Sequence, residues 1–433
     1  MRRSTKTFAC SLTQDDKKRL LLWAQQFQEV VWLDSNDYAQ DFQEFRAILA
    51  VEAATALKCD SVGAFDALSE YQQTSNDWLF GYLTYDLKND IEKLSSNNID
   101  KLLFTDLYFF QPKRVFLFSE DKVTMQYLTA IEDEMETDWK AITSFVLPRD
   151  EPRSQHSSSI KARTPKKAYL EKANRMLWHI ERGDIYEANL CQEFYAEPVR
   201  LNPVEVYTHL NEISQTPFAC FLKLEHYFAL SASPERYIQK RGAVIQSQPI
   251  KGTSKRYRDA VQDAKSLRAL EANPKERSEN IMITDLVRND LSRIAKKGSV
   301  KVTELCKSYT FRQVHQLIST IQCEVRNDIP PVRVLKETFP MGSMTGAPKI
   351  SAMEIIEQLE DAKRGLYSGA IGYFTPSGDF DFNVVIRSIL YNAQNGYVSF
   401  SVGGAITAAS IPQQEYDECL VKAAALREVL ERR

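Results

Sequence analysis

The stretch HYFALSASPERYIQKRGAVIQSQPIKGTSK, residues 226–255, carries two runs rich in β-branched and aromatic residues on either side of Arg241-Gly242. Runs of this kind around a two-residue turn predict a β-hairpin. With Arg241-Gly242 as the turn, Lys240 pairs with Ala243 and Glu235 lies opposite Gln248. Glu235 and Lys251 then emerge at the same end of the hairpin, about three strand residues or roughly 10 Å apart along it. Two long side chains at that separation can meet at one small molecule. Lys251 sits between Pro249-Ile250 and Gly252-Thr253, where an ordinary solvated charge in a turn competes with an amine held for chemistry.

The segments downstream continue the pattern. YSGAIGYFT (367–375) and DFNVVIRSILY (381–391) predict another hairpin, and GYVSFSVGG (396–404) a strand. Helices are predicted for NPKERSENIMITDLVRNDLSRIA (273–295), after GSMTGAPK (342–349), and for the final PQQEYDECLVKAAALREVLERR (412–433). TPKKAYLEKANRMLWHIERGD (164–184) has Thr164 as cap, Pro165 in the first turn and Gly183 as terminator, with Tyr169, Ala173, Met176, Leu177 and Ile180 at helical spacing. Nearer the N-terminus, VVWLDSNDY, WLFGYLTYDL and RVFLFSEDKVTMQYL predict strands, and FQEFRAILAVEAATAL (42–57) a helix. Strands group in runs without regular β-α alternation, which favours an α+β fold with mainly antiparallel sheet over a doubly wound one.

PRDEPRSQHSSSIKARTP, residues 148–165, breaks the periodicity with Ser, Pro and charge. It divides the chain into an N-terminal region, 1–148, a linker or surface loop, 149–164, and a larger region, 165–433. The 55 basic and 58 acidic residues are well mixed, so no electrostatic footprint for nucleic acid or an anionic membrane is present. The seven cysteines are far apart, with no CxxC and no Cys/His cluster, which argues against a disulfide framework or a zinc site. With 43% apolar residues, no run of about 18 of them and no apolar leader core, the expectation is a cytoplasmic protein.

Two helices share a Glu-x-x-Glu spacing, Glu276 with Glu279 and Glu415 with Glu418, and residues three apart share a helix face. Facing one another, four carboxylates repel unless a cation lies between them, and oxygen-only ligands suit a hard ion such as Mg²⁺. Taken singly, each pair reads first as a solvated helix face, and Asn273 with Glu276 as a capping box. Gly342 and Gly346 in FPMGSMTGAPK precede a helix N-terminus where backbone NH groups can meet an anion. Gly403 and Gly404 in SVGGAIT offer close backbone approach or a tight turn. Arg387, a cation inside an apolar strand, needs an internal ion pair or a bound carboxylate. Lys422 lies one turn beyond Glu418, at i,i+4 ion-pair spacing.

In order along the chain, SPERY, PIKGT, ERSENIMITDLVRND, VHQLIS, FPMGSMTGAPKISAMEII, RGLYSGAIGYF, IRS, GGAIT and EYDECLVKA resemble the chorismate-utilising enzymes. That family includes anthranilate synthase component I, aminodeoxychorismate synthase component I, isochorismate synthase and salicylate synthase. The resemblance is dense over about residues 165–430, and LDS and FGYLTYDLKND are similar to the N-terminal part of component I proteins. It implies two packed, mainly antiparallel sheets surrounded by helices, with chorismate and Mg²⁺ in a cleft. By position, it implies metal ligation at Glu279 and Glu418 with Glu276 and Glu415 as outer carboxylates. It implies substrate contacts at Gly252, Thr253, Tyr367, Arg387, Gly403, Gly404, Ala405 and Lys422.

PIKGT, against the PIAGT of anthranilate synthases, resembles the aminodeoxychorismate branch. This implies Lys251 as covalent nucleophile, Glu235 as the acid for the departing C4 hydroxyl, and ammonia from a glutamine amidotransferase subunit in folate precursor synthesis. Desolvation and a nearby Mg²⁺ would favour the neutral amine that such a lysine needs. Anthranilate or isochorismate synthesis is the alternative, and a chorismate-binding regulatory protein without turnover a further one. The chain departs from the family pattern in two places. Gln316 stands where many relatives have a histidine before the Leu of VxHLxS, with His315 one place earlier, and Ala405 replaces the third glycine of a GGG or GAG loop.

Overall fold

Residues Leu107–Phe118, LYFFQPKRVFLF, form the strand on which the architecture turns. Nearly all of it is buried, so it needs cover on both faces. A computed structural model describes residues 2–38, 45–148, 159–312 and 314–431. On one edge, residues 107–110 pair with the Leu79–Leu83 strand and residues 114–118 with Lys122–Leu128. Pro112, which has no NH to donate, falls between the two pairings. On the other edge the strand pairs with Ala47–Cys59, whose register slips between Ala53 and Thr55, two residues beyond Glu52 at φ +61°.

Two arms of sheet leave this strand. One runs through Ala47–Cys59, Glu29–Asp34, Phe218–Leu224, Tyr227–Ser233, Ser388–Asn392 and Tyr397–Thr407 to Glu187–Ala196. The other runs through Leu79–Leu83, Ala370–Phe374, Phe380–Val384, Arg236–Arg241 and Val244–Gln248 to Val314–Glu324. Ile250–Lys255 and Lys301–Thr310 pair with that last strand. A single core cluster contains Leu222 and Leu390 of the first arm with Ile238 and Phe382 of the second, so the arms pack face to face. A second core lies under helices that include Lys166–Glu181 and Pro412–Glu431, which contribute Tyr169, Met176, Cys419 and Leu426. The α+β fold of packed antiparallel sheets wrapped by helices is therefore as expected, and the two layers are joined through Leu107–Phe118 into one ladder.

Several local expectations change. Of the helix expected over 42–57, residues 42–44 lie outside the described residues, and Ala47–Cys59 is a 13-residue strand. Its alanines favour helix in isolation, but AILAV is buried between two neighbouring strands, where small and branched side chains fit a doubly covered sheet. Thr164 does not cap the Lys166–Glu181 helix; Pro165 occupies the cap, and the Thr164 hydroxyl donates to Asp361. Of the linker 149–164, residues 149–158 lie outside the described residues, while Lys161–Ala162 pair with Tyr195 and Phe194. All seven cysteines are free thiols. Among the described residues no helix is long and apolar enough to cross a membrane.

Two ladders cross between residues before 148 and residues after 165: Glu29–Asp34 with Phe218–Leu224, and Leu79–Leu83 with Ala370–Phe374. In the second, Gly81 pairs with Gly372. A Cβ on either would collide with backbone of the next strand, at Tyr108 and Asp381 respectively. Gly372→Ala is expected to cost about 3 kcal/mol, read as a lower urea midpoint. An unchanged midpoint would mean that this seam yields easily.

Candidate active site

The hairpin that carries Glu235 and Lys251 forms, in a different register. Arg241 pairs with Val244, so the turn is Gly242-Ala243, and Lys240 pairs with Ile245 rather than Ala243. The first turn residue must take positive φ in the turn types that suit hairpins, and Gly242 supplies it at +56°. The register slips again between Arg236 and Gln239, which leaves Arg236, not Glu235, opposite Gln248. Glu235 lies just outside the strand, buried, with its carbonyl accepting the Val384 NH at 3.0 Å. Burial pushes its carboxyl up to about 7, against the pull of the nearby Ser343 hydroxyl and the Lys251 ammonium. Ser343 arrives there because GSM forms a 3₁₀ turn, Gly342–Met344, ahead of the Lys349–Leu359 helix. The glycine-containing turn thus serves to deliver a side chain.

Lys251 is half-buried rather than fully desolvated. Its charge acts on Glu235, Glu187, Glu279 and Glu418, which places those carboxylates around one ammonium group. Glu276 and Glu279 come from the Pro274–Ser292 helix, whose N-cap Asn273 accepts from the Lys275 and Glu276 amides. Burial raises Glu279 to about 7, with Lys251 and Lys275 opposing, and its buried Oε1 has no hydrogen-bond partner among the described residues. Burial also raises Glu276, reinforced by the negative charge of Glu418. Glu415 is buried on the Pro412–Glu431 helix, and Lys275 Nζ lies 3.0 Å from its Oε1. Glu418, at the exposed side, is raised by burial of its surroundings but lowered on balance by Lys422, which it pairs at 2.6 Å. As they stand, no three His, Cys, Asp or Glu side chains among the described residues are close enough to hold a metal ion. The donor set still suits a hard cation: oxygen-only, from two helices, with one buried carboxylate oxygen unpartnered and an ammonium lying between the pairs.

The remaining predicted residues line the same space or support it. Gly252 takes φ +94°, and a Cβ there would stand 3.2 Å from Glu276 Oε2, so glycine is needed on both counts. Thr253 is exposed and pairs with Gln316. Gly403 and Gly404 are not at a strand end but inside Tyr397–Thr407. A Cβ at Gly403 would press on Cys191 and Asn189, and one at Gly404 would point between Glu415 and Lys422. Ala405, an ordinary strand residue opposite Asn189, needs no glycine. Lys422 Nζ makes its i,i+4 pair with Glu418 and also donates to the Gly403 carbonyl at 2.8 Å.

Arg387 is not within a strand: it occupies the bend between Phe380–Val384 and Ser388–Asn392 at φ +52°. Among the described residues it makes no ion pair, and burial lowers its proton affinity, opposed by Tyr367 and Glu418. A guanidinium so placed can accept an anionic ligand. Tyr367 is buried with its hydroxyl 3.6 Å from Cys191 Sγ. His315 and Gln316 point to opposite faces of their strand. His315 Nε2 meets Asp263 at 3.1 Å, whereas the buried Gln316 Oε1 is unpartnered, so His315 cannot take over its neighbour's position.

The family profile described as chorismate binding enzyme matches residues 10–428. The chain belongs to the chorismate binding enzymes. It is 37% identical over 368 residues to an aminodeoxychorismate synthase of Streptomyces griseus, covering 81% of this chain but only 50% of that one. It is 30% identical over 362 residues to aminodeoxychorismate synthase component 1 of Bacillus subtilis, covering 81% of this chain and 76% of that protein. The crystal structure of anthranilate synthase component I from Streptococcus pneumoniae superposes with a TM-score of 0.77 at 25% identity, over 91% of this chain and 94% of that one.

Three residues of this chorismate binding enzyme's cleft were not singled out from sequence. Glu187, in Glu187–Ala196, is buried; burial raises its carboxyl, Lys251 pulls it down, and Oε2 has no hydrogen-bond partner among the described residues. Its signal was a carboxylate opening the strand run EANLCQEF. Asn280 Nδ2 donates to the Lys251 carbonyl at 3.1 Å and to the Leu317 carbonyl at 3.0 Å, tying the Glu276/Glu279 helix to the lysine's backbone. Lys275, adjacent to Glu276, bridges the helices. Apart from this cleft, a cavity of about 560 Å³, counting space open to solvent, is lined by residues including Asp34, Ser35, Phe218, Arg236 and Asp381.

Glu235, raised from 4.5 to about 7 in the folded chain, keeps a proton there that the unfolded chain releases. Its contribution is therefore full below about pH 4.5 and is lost as pH rises towards about 7, a decline on the order of 3 kcal/mol. Glu235→Gln is expected to match the wild type in urea stability at pH 4.5 and exceed it at pH 8; equal stability at both would show the carboxyl to be solvated. Asn280→Ala is expected to cost about 2 kcal/mol, because two buried carbonyls lose their donor, and to lower turnover through displacement of Lys251.

Proposed function

We propose that the chain converts chorismate and ammonia to 4-amino-4-deoxychorismate, with a glutamine amidotransferase partner as the ammonia source in folate precursor synthesis. The observation that carries this reading is Lys251 and the buried Glu235, whose carboxyl is raised to about 7, facing one cleft in a chain similar to proteins named aminodeoxychorismate synthase.

The Lys251 amine attacks C2 of the ring, the ring double bonds shift, and the C4–O bond breaks. Glu235, its carboxyl raised to about 7 so that a protonated fraction persists near neutral pH, donates its proton to the departing hydroxyl, which leaves as water. Ammonia then attacks C4, the double bonds shift back, and the C2–N bond to Lys251 breaks with return of a proton to the amine. The enolpyruvyl ether is untouched, so no pyruvate forms. Arg387 offers its buried guanidinium to a substrate carboxylate, and Gly252 and Gly404 keep the floor of the cleft free of side chains. Glu187, buried beside Lys251, is within electrostatic reach of the proton that the amine must shed. Glu279 and Glu418, with Glu276 and Glu415 outside them, would hold Mg²⁺, which supplies a divalent charge able to take oxygen ligands from substrate.

The test is product analysis and intact mass of the purified chain with chorismate, Mg²⁺ and ammonium ion, beside Lys251→Ala. Aminodeoxychorismate without pyruvate is expected from the wild type, and a loss of at least about 10³-fold from the variant. Anthranilate with pyruvate, or an unaffected variant, would return the chain to the wider family with no role for the lysine.

A further inference from the structure

Lys275 stands in the first turn of the Pro274–Ser292 helix, where the helix dipole disfavours a positive charge. Its side chain nevertheless does not turn out into water: it is only 34% exposed, with Nζ 3.0 Å from Glu415 Oε1 and 3.8 Å from Glu279 Oε1. The ammonium thus lies between one carboxylate of each Glu-x-x-Glu pair, against the buried Glu279 oxygen that has no hydrogen-bond partner. Among the described residues, Lys275 to Glu415 is the only ion pair that joins the two helices.

Resting on the magnesium reading above, we propose that the Lys275 ammonium stands between the two carboxylate pairs in the position a divalent ion would take, and that such an ion must displace it to draw both pairs onto itself. Ligand oxygens must come within about 2.0–2.1 Å of Mg²⁺. An ammonium 3–4 Å from Glu415 and Glu279 occupies the space into which they would close. Lys275 therefore sets the affinity of the cleft for the ion. It also ties the two helices together, since four carboxylates with only Lys251 and Lys422 beside them would repel across the gap. A lysine suits the role: its long stem can leave the carboxylates and carry the charge to solvent in one movement.

The experiment uses the full chain, stripped with chelator and free of substrate, titrated with Mn²⁺ by electron paramagnetic resonance and with Mg²⁺ by calorimetry. Lys275→Met, which keeps the stem and removes the charge, is expected to bind either ion about tenfold tighter than wild type. Lys275→Arg is expected to bind no tighter than wild type. In the wild type, acetylation of Lys275 by a dilute amine reagent, read by peptide mass spectrometry, should rise severalfold when Mn²⁺ is added; this measurement stands even if the Met variant does not fold. Unchanged or weaker binding by Lys275→Met, or acetylation that does not rise, overturns the displacement proposal while wild-type binding that is lost in Glu279→Gln keeps the metal site. No saturable binding by any of these proteins overturns the metal reading, and this proposal with it.

Discussion

Carboxylates held together out of water are the constraint on which the rest of the structure bears. Glu187, Glu235, Glu279 and Glu415 are buried and Glu276 half-buried, around Lys251, Lys275 and Lys422. Burial is the first cause that raises Glu187, Glu235, Glu276 and Glu279, and neighbouring carboxylates add to it at Glu276 and Glu279. No local interaction in the cleft offsets that cost fully, so the surrounding fold must hold the groups in place.

It does so through covered sheet and side-chain ties. The layered core around Leu107–Phe118 fixes the two arms, one of which delivers Glu187 and the glycines at 403 and 404, the other Glu235 and Lys251. Asn280 fixes the Pro274–Ser292 helix to the backbone of Lys251. Arg364, buried, pairs with Glu360 and donates to the carbonyls of Met344 at 2.6 Å and Asn189 at 2.8 Å, locking the Ser343 turn against the strand that begins at Glu187. Acid, amine and carboxylate pairs are thus positioned by separate elements. The cleft's charge pattern is a property of their assembly.

Much of this was legible from residue order. The paired Glu-x-x-Glu helices, the hairpin with its lysine, the Tyr397–Thr407 strand and the α+β class all follow from periodicity and turn residues. Errors arose where local preference met tertiary cover. Ala47–Cys59 became a strand because both of its edges are paired in a buried sheet. The hairpin shifted because Gly242 had to be the first turn residue, not the second. Arg387 left its expected strand for a bend, and Gly403 and Gly404 proved to be places of close approach within one.

The sequence by itself determined which chemical groups are present and which of them share an element, since spacing of three or four residues sets the face of a helix and alternation the face of a strand. It determined that Glu276 accompanies Glu279 and that Glu415 accompanies Glu418. Only the tertiary structure decided that Lys275 reaches the opposite helix, that Glu187 stands beside Lys251, and that Arg387 makes no ion pair among the described residues. These depend on distances between elements far apart in the chain, and on how much water remains between them. Periodicity carries no information about either quantity.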